Sequence, residues 1–254
     1  MLKDIDQDSL LNAFFLSILA TAGLFYVNLG GSFLSAFVDG LQIQRDSAGF
    51  IVSANKYGAA FGGLLAAIFI KKLSWRKSSY LLLITLIIID IFSSLITNAD
   101  FLILVRFFHG TVGGFLVGIG LSVIARTSFP DRVFGMLMVV QYSFGSIGIF
   151  TVPRLVDIFG YGAVFFVLIS FSLMTLLILP LIPELKVKSS QSNVKGELSL
   201  EAKILLSICL ISLFLFQASN MGVADFAFEL GKEINISNNE ISNLLTVANI
   251  ISIS

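Results

Sequence analysis

Apolar residues in this chain fall into long unbroken blocks separated by short polar turns. They show neither the alternation of a half-buried strand nor the narrow stripe of a soluble helix. The blocks cover 10–37, 47–70, 79–97, 101–125, 133–156, 163–182 and 203–226, and an eighth opens at Ile241 and runs to Ser254. A bilayer core is ~30 Å thick, so about 20 apolar helical residues cross it. A helix also satisfies its own backbone where no water can. The pattern therefore predicts an all-α membrane protein with seven spans and part of another. The closing block, at ~1.5 Å per residue, is too short to cross a core of that thickness.

Composition agrees: 56% of residues are hydrophobic and 13% charged, against about 25% charged in soluble domains. Sixteen basic and sixteen acidic residues cancel, which argues against a nucleic-acid partner or a peripheral basic protein. Cys209 and His109 are each the sole residue of their type. They leave no intrachain disulfide and no Cys- or His-clustered metal site, so neither metal nor cofactor is expected. The opening segment sets Lys3 against Asp4, Asp6 and Asp8. This is the reverse of a secretory leader, so the first block reads as a span.

Basic residues fix the expected orientation. With the amino terminus in the cytoplasm, inner segments hold Lys3, Lys71, Lys72, Arg76, Lys77, Arg126, Arg132, Lys186, Lys188, Lys195 and Lys203. Outer segments hold Arg45 and Lys232, a strong positive-inside bias. The expected placement is a multi-pass protein of a bacterial inner (plasma) membrane with a cytoplasmic amino terminus.

One polar segment stands out, PELKVKSSQSNVKGELSLE, after the sixth block. Such composition buries no core and reads as a connector. It divides the chain into a six-helix bundle, 1–183, a cytoplasmic linker, 184–202, and the start of a second bundle, 203–254. Residues 239–249 can be laid on 45–55: an acid precedes each helix, and Ala-Asn recurs eight residues later. The second unit thus reads as a restart of the first, and the chain as a fragment whose missing C-terminal helices are expected in a longer protein.

Three motifs carry most of the chemistry. Arg106 lies in the fourth block and is followed by Gly110, Gly113, Gly114 and Gly118. An ionised Arg in a span is costly, so it faces protein or a wet cavity, or it snorkels to the outer headgroups. The glycines bare one face for close helix approach. Gly58, Gly62 and Ala66 repeat this every four residues in the second block, ahead of the basic turn with Lys72, Arg76 and Lys77. In the fifth block, Gly148 and Pro153 precede Arg154. Pro153 frees a carbonyl and either bends the helix or marks its end.

These residues resemble the major facilitator superfamily over essentially the whole chain. Arg106-x-x-x-Gly110 with Gly113-Gly114 is similar to its fourth-helix signature, R-x-x-x-G-x-x-x-[GA]. Residues 67–77 are similar to its loop between helices two and three, with Lys72, Arg76 and Lys77 kept, Lys71 in place of the acid and Ser74 in place of the loop glycine. Of the fifth-helix antiporter pattern only Gly148 and Pro153 remain, so export by antiport has no support from it. The resemblance implies twelve helices in two six-helix halves, a binding site between them and a proton as coupling ion.

Polar residues within the blocks are candidates for a substrate or proton pathway. They are Asn28, Asn55, Lys56, Arg106, His109, Gln141, Tyr142, Arg154, Gln217, Asn220 and Asp225. The simpler reading of each uncharged member is an interhelical hydrogen bond. Asp90, halfway along the third block, is expected to bond Ser93 or Ser94 or to be protonated. Lys56, Arg106 and Arg154 outnumber the acids near them, predicting a cationic vestibule for an anionic solute. The leading expectation is a secondary active transporter of a small solute, working by alternating access with membrane lipid, substrate and protons as partners. A non-transporting sensor or assembly protein on the same scaffold is the alternative. A membrane enzyme ranks third, because no nucleotide-binding loop or nucleophile–base pair is found.

Overall fold

Residues suited to capping open several helices. Ser9, Asn98 and Ser199 each accept from a backbone N–H three residues on. Ser237 and Glu240 form a reciprocal capping box. Pro130 opens its helix where a missing N–H costs nothing. The computed structural model describes residues 6–184 and 199–252. These form nine α-helices: α1 Leu10–Asn28, α2 Gly30–Leu41, α3 Arg45–Phe69, α4 Trp75–Ser93, α5 Ala99–Ile124, α6 Pro130–Phe159, α7 Ala163–Ile178, α8 Leu200–Glu233 and α9 Asn238–Ile251. Short 3₁₀ turns, Ile70–Lys72 and Leu179–Leu181, extend α3 and α7. No strand occurs among the described residues. Most of the expected linker, 185–198, lies outside them.

Six of these helices are long and apolar enough to cross a membrane: α1, α3, α5, α6, α7 and α8. The count expected from the blocks was seven. The difference is α4, which carries Arg76, Lys77 and Asp90 within 19 residues. A second difference is the first block, which is not one continuous helix. It breaks at Leu29 (φ −103°, ψ 7°), ahead of Gly30 and Gly31. The break brings both glycines against α8. A Cβ on Gly30 would overlap the Asp225 carboxylate, and one on Gly31 would press on the Ala224 carbonyl.

The turns gather at two ends. Gln7 donates to the Glu184 carbonyl at 2.7 Å, and Arg76 donates to the Ile182 carbonyl, so the start of α1, the α3–α4 turn and the end of α7 lie together. This end carries the lysines 71, 72 and 77. At the opposite end the Tyr161 hydroxyl reaches the carbonyls of Ser94 and Ile96, and Asn239 reaches Asp157. Asp39, Asp157, Glu229, Glu233 and Glu240 make it the acidic end.

α5 runs through the middle, packed on α1, α3 and α4. Its approach to α3 depends on glycine: Cβ atoms on Gly58 and Gly62 would overlap the carbonyls of Phe107 and Thr111, and those on Gly110 and Gly114 would overlap Asn55 and Ala59. Gly118 faces Ala66, and Gly113 faces Gly23 of α1. Backbone-to-backbone contact of this kind is how helices associate in lipid, where no hydrophobic force drives them. Aromatic packing closes the core between α1, α2, α6 and α7, with Phe25 stacked on Phe171 at 4.2 Å and Phe33, Phe37 and Phe165 in mutual contact. α8 buries only Asp225, Phe228 and Glu229 against this body, toward its acidic end, and between residues 200 and 220 all but Ala202 are exposed.

Candidate functional site

Arg106 is completely buried, which removes the snorkelling reading. Its Nη1 lies 2.9 Å from Asp90 Oδ1 on α4, and its Nη2 donates to Ser93 Oγ. The guanidinium also sits over the rings of Phe165 and Tyr26, 5.1 and 5.8 Å from their centroids. Asp90 is therefore paired with an arginine, not with Ser93 or Ser94 as the sequence suggested. Two antiparallel helices joined by a short turn set residues equidistant from that turn side by side, and the opposite charges attract where water is absent.

His109 completes the cluster. Asn55 Nδ2 lies 2.7 Å from His109 Nδ1 and donates to the Arg106 carbonyl at 3.2 Å. One amide nitrogen serves both contacts as donor, so Nδ1 is the acceptor and Nε2 carries the hydrogen. Nε2 lies 3.2 Å from Asp90 Oδ1. Asp90 Oδ2, Arg106 Nε and the Tyr26 hydroxyl, all buried, have no hydrogen-bond partner among the described residues.

A second ion pair joins the first bundle to α8. Lys56 Nζ donates to Asp225 Oδ2, and both side chains are largely buried, 19% and 11% exposed. Tyr26 of α1 packs on the first of these pairs, its ring 5.7 Å from that of His109 and under the Arg106 guanidinium. Beside Lys56 is a cavity of about 390 Å³. Leu24 and Val27 of α1, Ala59 and Gly63 of α3, Val117 and Leu121 of α5, and Met221 of α8 line it. Along α3 and α5 these positions step from Lys56 toward the basic end.

The acidic end is closed by a further network. Glu229 (3% exposed) takes Arg45 Nε at 3.3 Å and Lys232 Nζ at 2.8 Å. Lys232 also holds Asp39 at 2.7 Å, and Arg45 holds Glu233 at 2.6 Å. Asn238 and Ser35 bond Asp39 from α9 and α2. This network ties α2 and α3 to α8 and α9.

The remaining candidates scatter. Asn28 and Gln141 pair across α1 and α6 through two hydrogen bonds of 3.2 and 3.3 Å. Tyr142 is exposed, as are Gln217 and Asn220 on the free part of α8. Pro153 does not end its helix, since α6 continues to Phe159. Its i−4 carbonyl, Ile149, accepts from Ser242 of α9 at 2.9 Å. Arg154 donates to Ser242 and Asn243 and stacks on Phe150. Gly148 packs on Leu29, and Lys72 and Lys77 stay exposed. The cationic vestibule is accordingly corrected: Lys56 and Arg106 each face an acid supplied by another helix. Sequence reasoning missed Tyr26, Glu229 and Ser242, none of which carries a motif. Asp90 and Asp225 were visible; 169 residues separate Asp225 from Lys56, and for Asp90 the apolar pattern did not show which face of α4 meets α5.

Comparison with family models and with curated proteins gives no match for this chain.

Proposed function

We propose that the chain builds a secondary transport path of the major facilitator type, which moves a small solute by alternating access with protons as the coupling ion. One observation carries this reading. The cavity beside Lys56 lies between the first bundle and Met221 of α8, with the Lys56–Asp225 pair toward its acidic side and apolar or small residues along the rest of its described lining. A path that is shut at one end and entered from the other is what a carrier needs in one of its two states. Two buried ion pairs, Arg106–Asp90 and Lys56–Asp225, support it further, because intramembrane charges mark pathways more often than scaffolds. In this reading 1–183 is one six-helix unit, α8 and α9 belong to the facing one, and the basic end lies in the cytoplasm by the positive-inside bias.

The test is flux. Reconstituted in proteoliposomes and offered a panel of labelled small solutes, the chain should support saturable counterflow of at least one class. A panel with no flux above protein-free vesicles, from protein shown to be inserted, would defeat the reading in favour of a sensor or assembly role.

A further inference from the structure

We infer that the cavity beside Lys56 takes a small monoanion with an apolar body, a carboxylate of benzoate size or larger, by exchanging it for Asp225 on the Lys56 ammonium. The inference rests on the carrier reading and deepens it.

Among the described residues lining this cavity Lys56 is the sole charged side chain; the walls are Leu24, Val27, Val117, Leu121, Met221 and small residues. One ammonium can balance one negative charge, and a dianion would leave its second charge against apolar walls at high cost. A neutral solute would gain nothing from Lys56, which already has a partner. The anion must therefore compete with Asp225. Lys56 is suited to this, since a flexible stem carries its charge and its three donors can swing between two acceptors.

The exchange has a consequence for protons. Charged and titratable groups around Asp225 are few: Lys56 on α3, the Tyr26 hydroxyl on α1, and Glu229 one turn along α8, itself engaged by Arg45 and Lys232. α2 presents Gly30 and Gly31. Once the anion holds Lys56, the Asp225 carboxylate has no cation and is buried against backbone. A carboxylate so placed takes up a proton. The pair Lys56⁺·Asp225⁻ plus one anion and one H⁺ becomes Lys56⁺·anion⁻ beside neutral Asp225. No covalent bond is made or broken, the charge of the site is unchanged, and anion and proton load together.

Benzoate is the probe. Calorimetric titration of the whole chain in lipid nanodiscs, in two buffers of different ionisation heat, should show one proton taken up per benzoate bound. Affinity should strengthen about tenfold for each unit of pH lowered, as one-proton linkage requires. Benzamide, the same shape without charge, should not bind. Asp225→Asn should keep benzoate binding with no proton uptake and no pH dependence, and Lys56→Gln should lose at least tenfold. Wild-type protein that fails to bind benzoate, binds benzamide equally well, or binds benzoate without a proton overturns the inference. Labelled benzoate flux in proteoliposomes separates the two readings. Proton-linked binding without flux defeats the carrier and keeps the exchange. Benzoate flux with no proton taken up keeps the carrier and defeats the exchange.

Discussion

Asp90 and Arg106 stand eight residues on either side of Asn98, and the packing of α4 on α5 brings Oδ1 within 2.9 Å of Nη1 with neither side chain exposed beyond 1%. Two ions held this way have lost their water, and their attraction repays that loss only while both remain. His109 Nε2 lies 3.2 Å from the same Oδ1, Ser93 accepts from the guanidinium, and Asn55 of α3 donates to the Arg106 carbonyl, so the cluster as a whole joins three helices.

Removing one charge should cost far more than removing both. Arg106→Gln or Asp90→Asn alone should destabilise by about 3–5 kcal/mol, because each strands a buried ion. The Asp90→Asn/Arg106→Gln double variant should recover a large part of that loss. Thermal unfolding in detergent reads the difference, and a double variant as unstable as the sum of the singles contradicts the pairing.

The contact between α3 and α5 makes a sharper claim about glycine. Gly58 and Gly63 lie on one helix, yet a Cβ on Gly58 would overlap the Phe107 carbonyl while one on Gly63 meets nothing within 4 Å. Gly58→Ala should force the helices apart at a cost of about 1–3 kcal/mol or more. Gly63→Ala should be neutral or gain up to ~1 kcal/mol from helix propensity. Comparing the two melting temperatures tests this, and equal effects would argue against backbone contact at Gly58.

The helices were legible in the chain because block length and hydropathy report the solvent directly. Gly58, Gly62, Gly110 and Gly114 were legible as well, since a four-residue repeat of small side chains has one obvious use in lipid. Pairing was not. Asp90–Arg106 and Lys56–Asp225 depend on which helix lies beside which, and apolar periodicity in a membrane carries no direction toward a core. The break at Leu29 was hidden for a related reason: Gly30 and Gly31 are small because α8 approaches them, and that contact spans nearly two hundred residues of chain. In α4 block length and charge disagree: Arg76, Lys77 and Asp90 lower its apolar character, and Arg106 of α5 neutralises Asp90 alone among them.

Acid should loosen the start of α9. The Ser237 hydroxyl, and after it the Ser237 backbone N–H, donate to the Glu240 carboxylate and hold it below the usual glutamate range. A carboxylate shifted down on folding contributes its stabilisation above the unfolded pKa and loses it as pH falls through the folded one. The cap should thus be intact at neutral pH and open only in acid below the ordinary glutamate value. The Ser237 amide shift, followed by NMR, should titrate in that window in the native chain and stay flat in Glu240→Gln. A native amide shift that does not move there would refute the cap.

Ser242 is the donor that Pro153 removes from its own helix. Proline has no N–H, so the Ile149 carbonyl four residues back lacks an intrahelical partner, and the buried Ser242 hydroxyl supplies one from α9 at 2.9 Å. Ser242→Ala should leave that carbonyl unsatisfied and cost about 1–3 kcal/mol. In a Pro153→Ala background the helix regains its N–H, and the same serine change should cost at least about 1 kcal/mol less. Melting temperatures of the four proteins close this cycle, which measures the coupling itself. Simple additivity would mean that the serine binds α6 for some reason other than the proline, and the joint between α6 and α9 would then rest on Arg154 with Ser242 and Asn243.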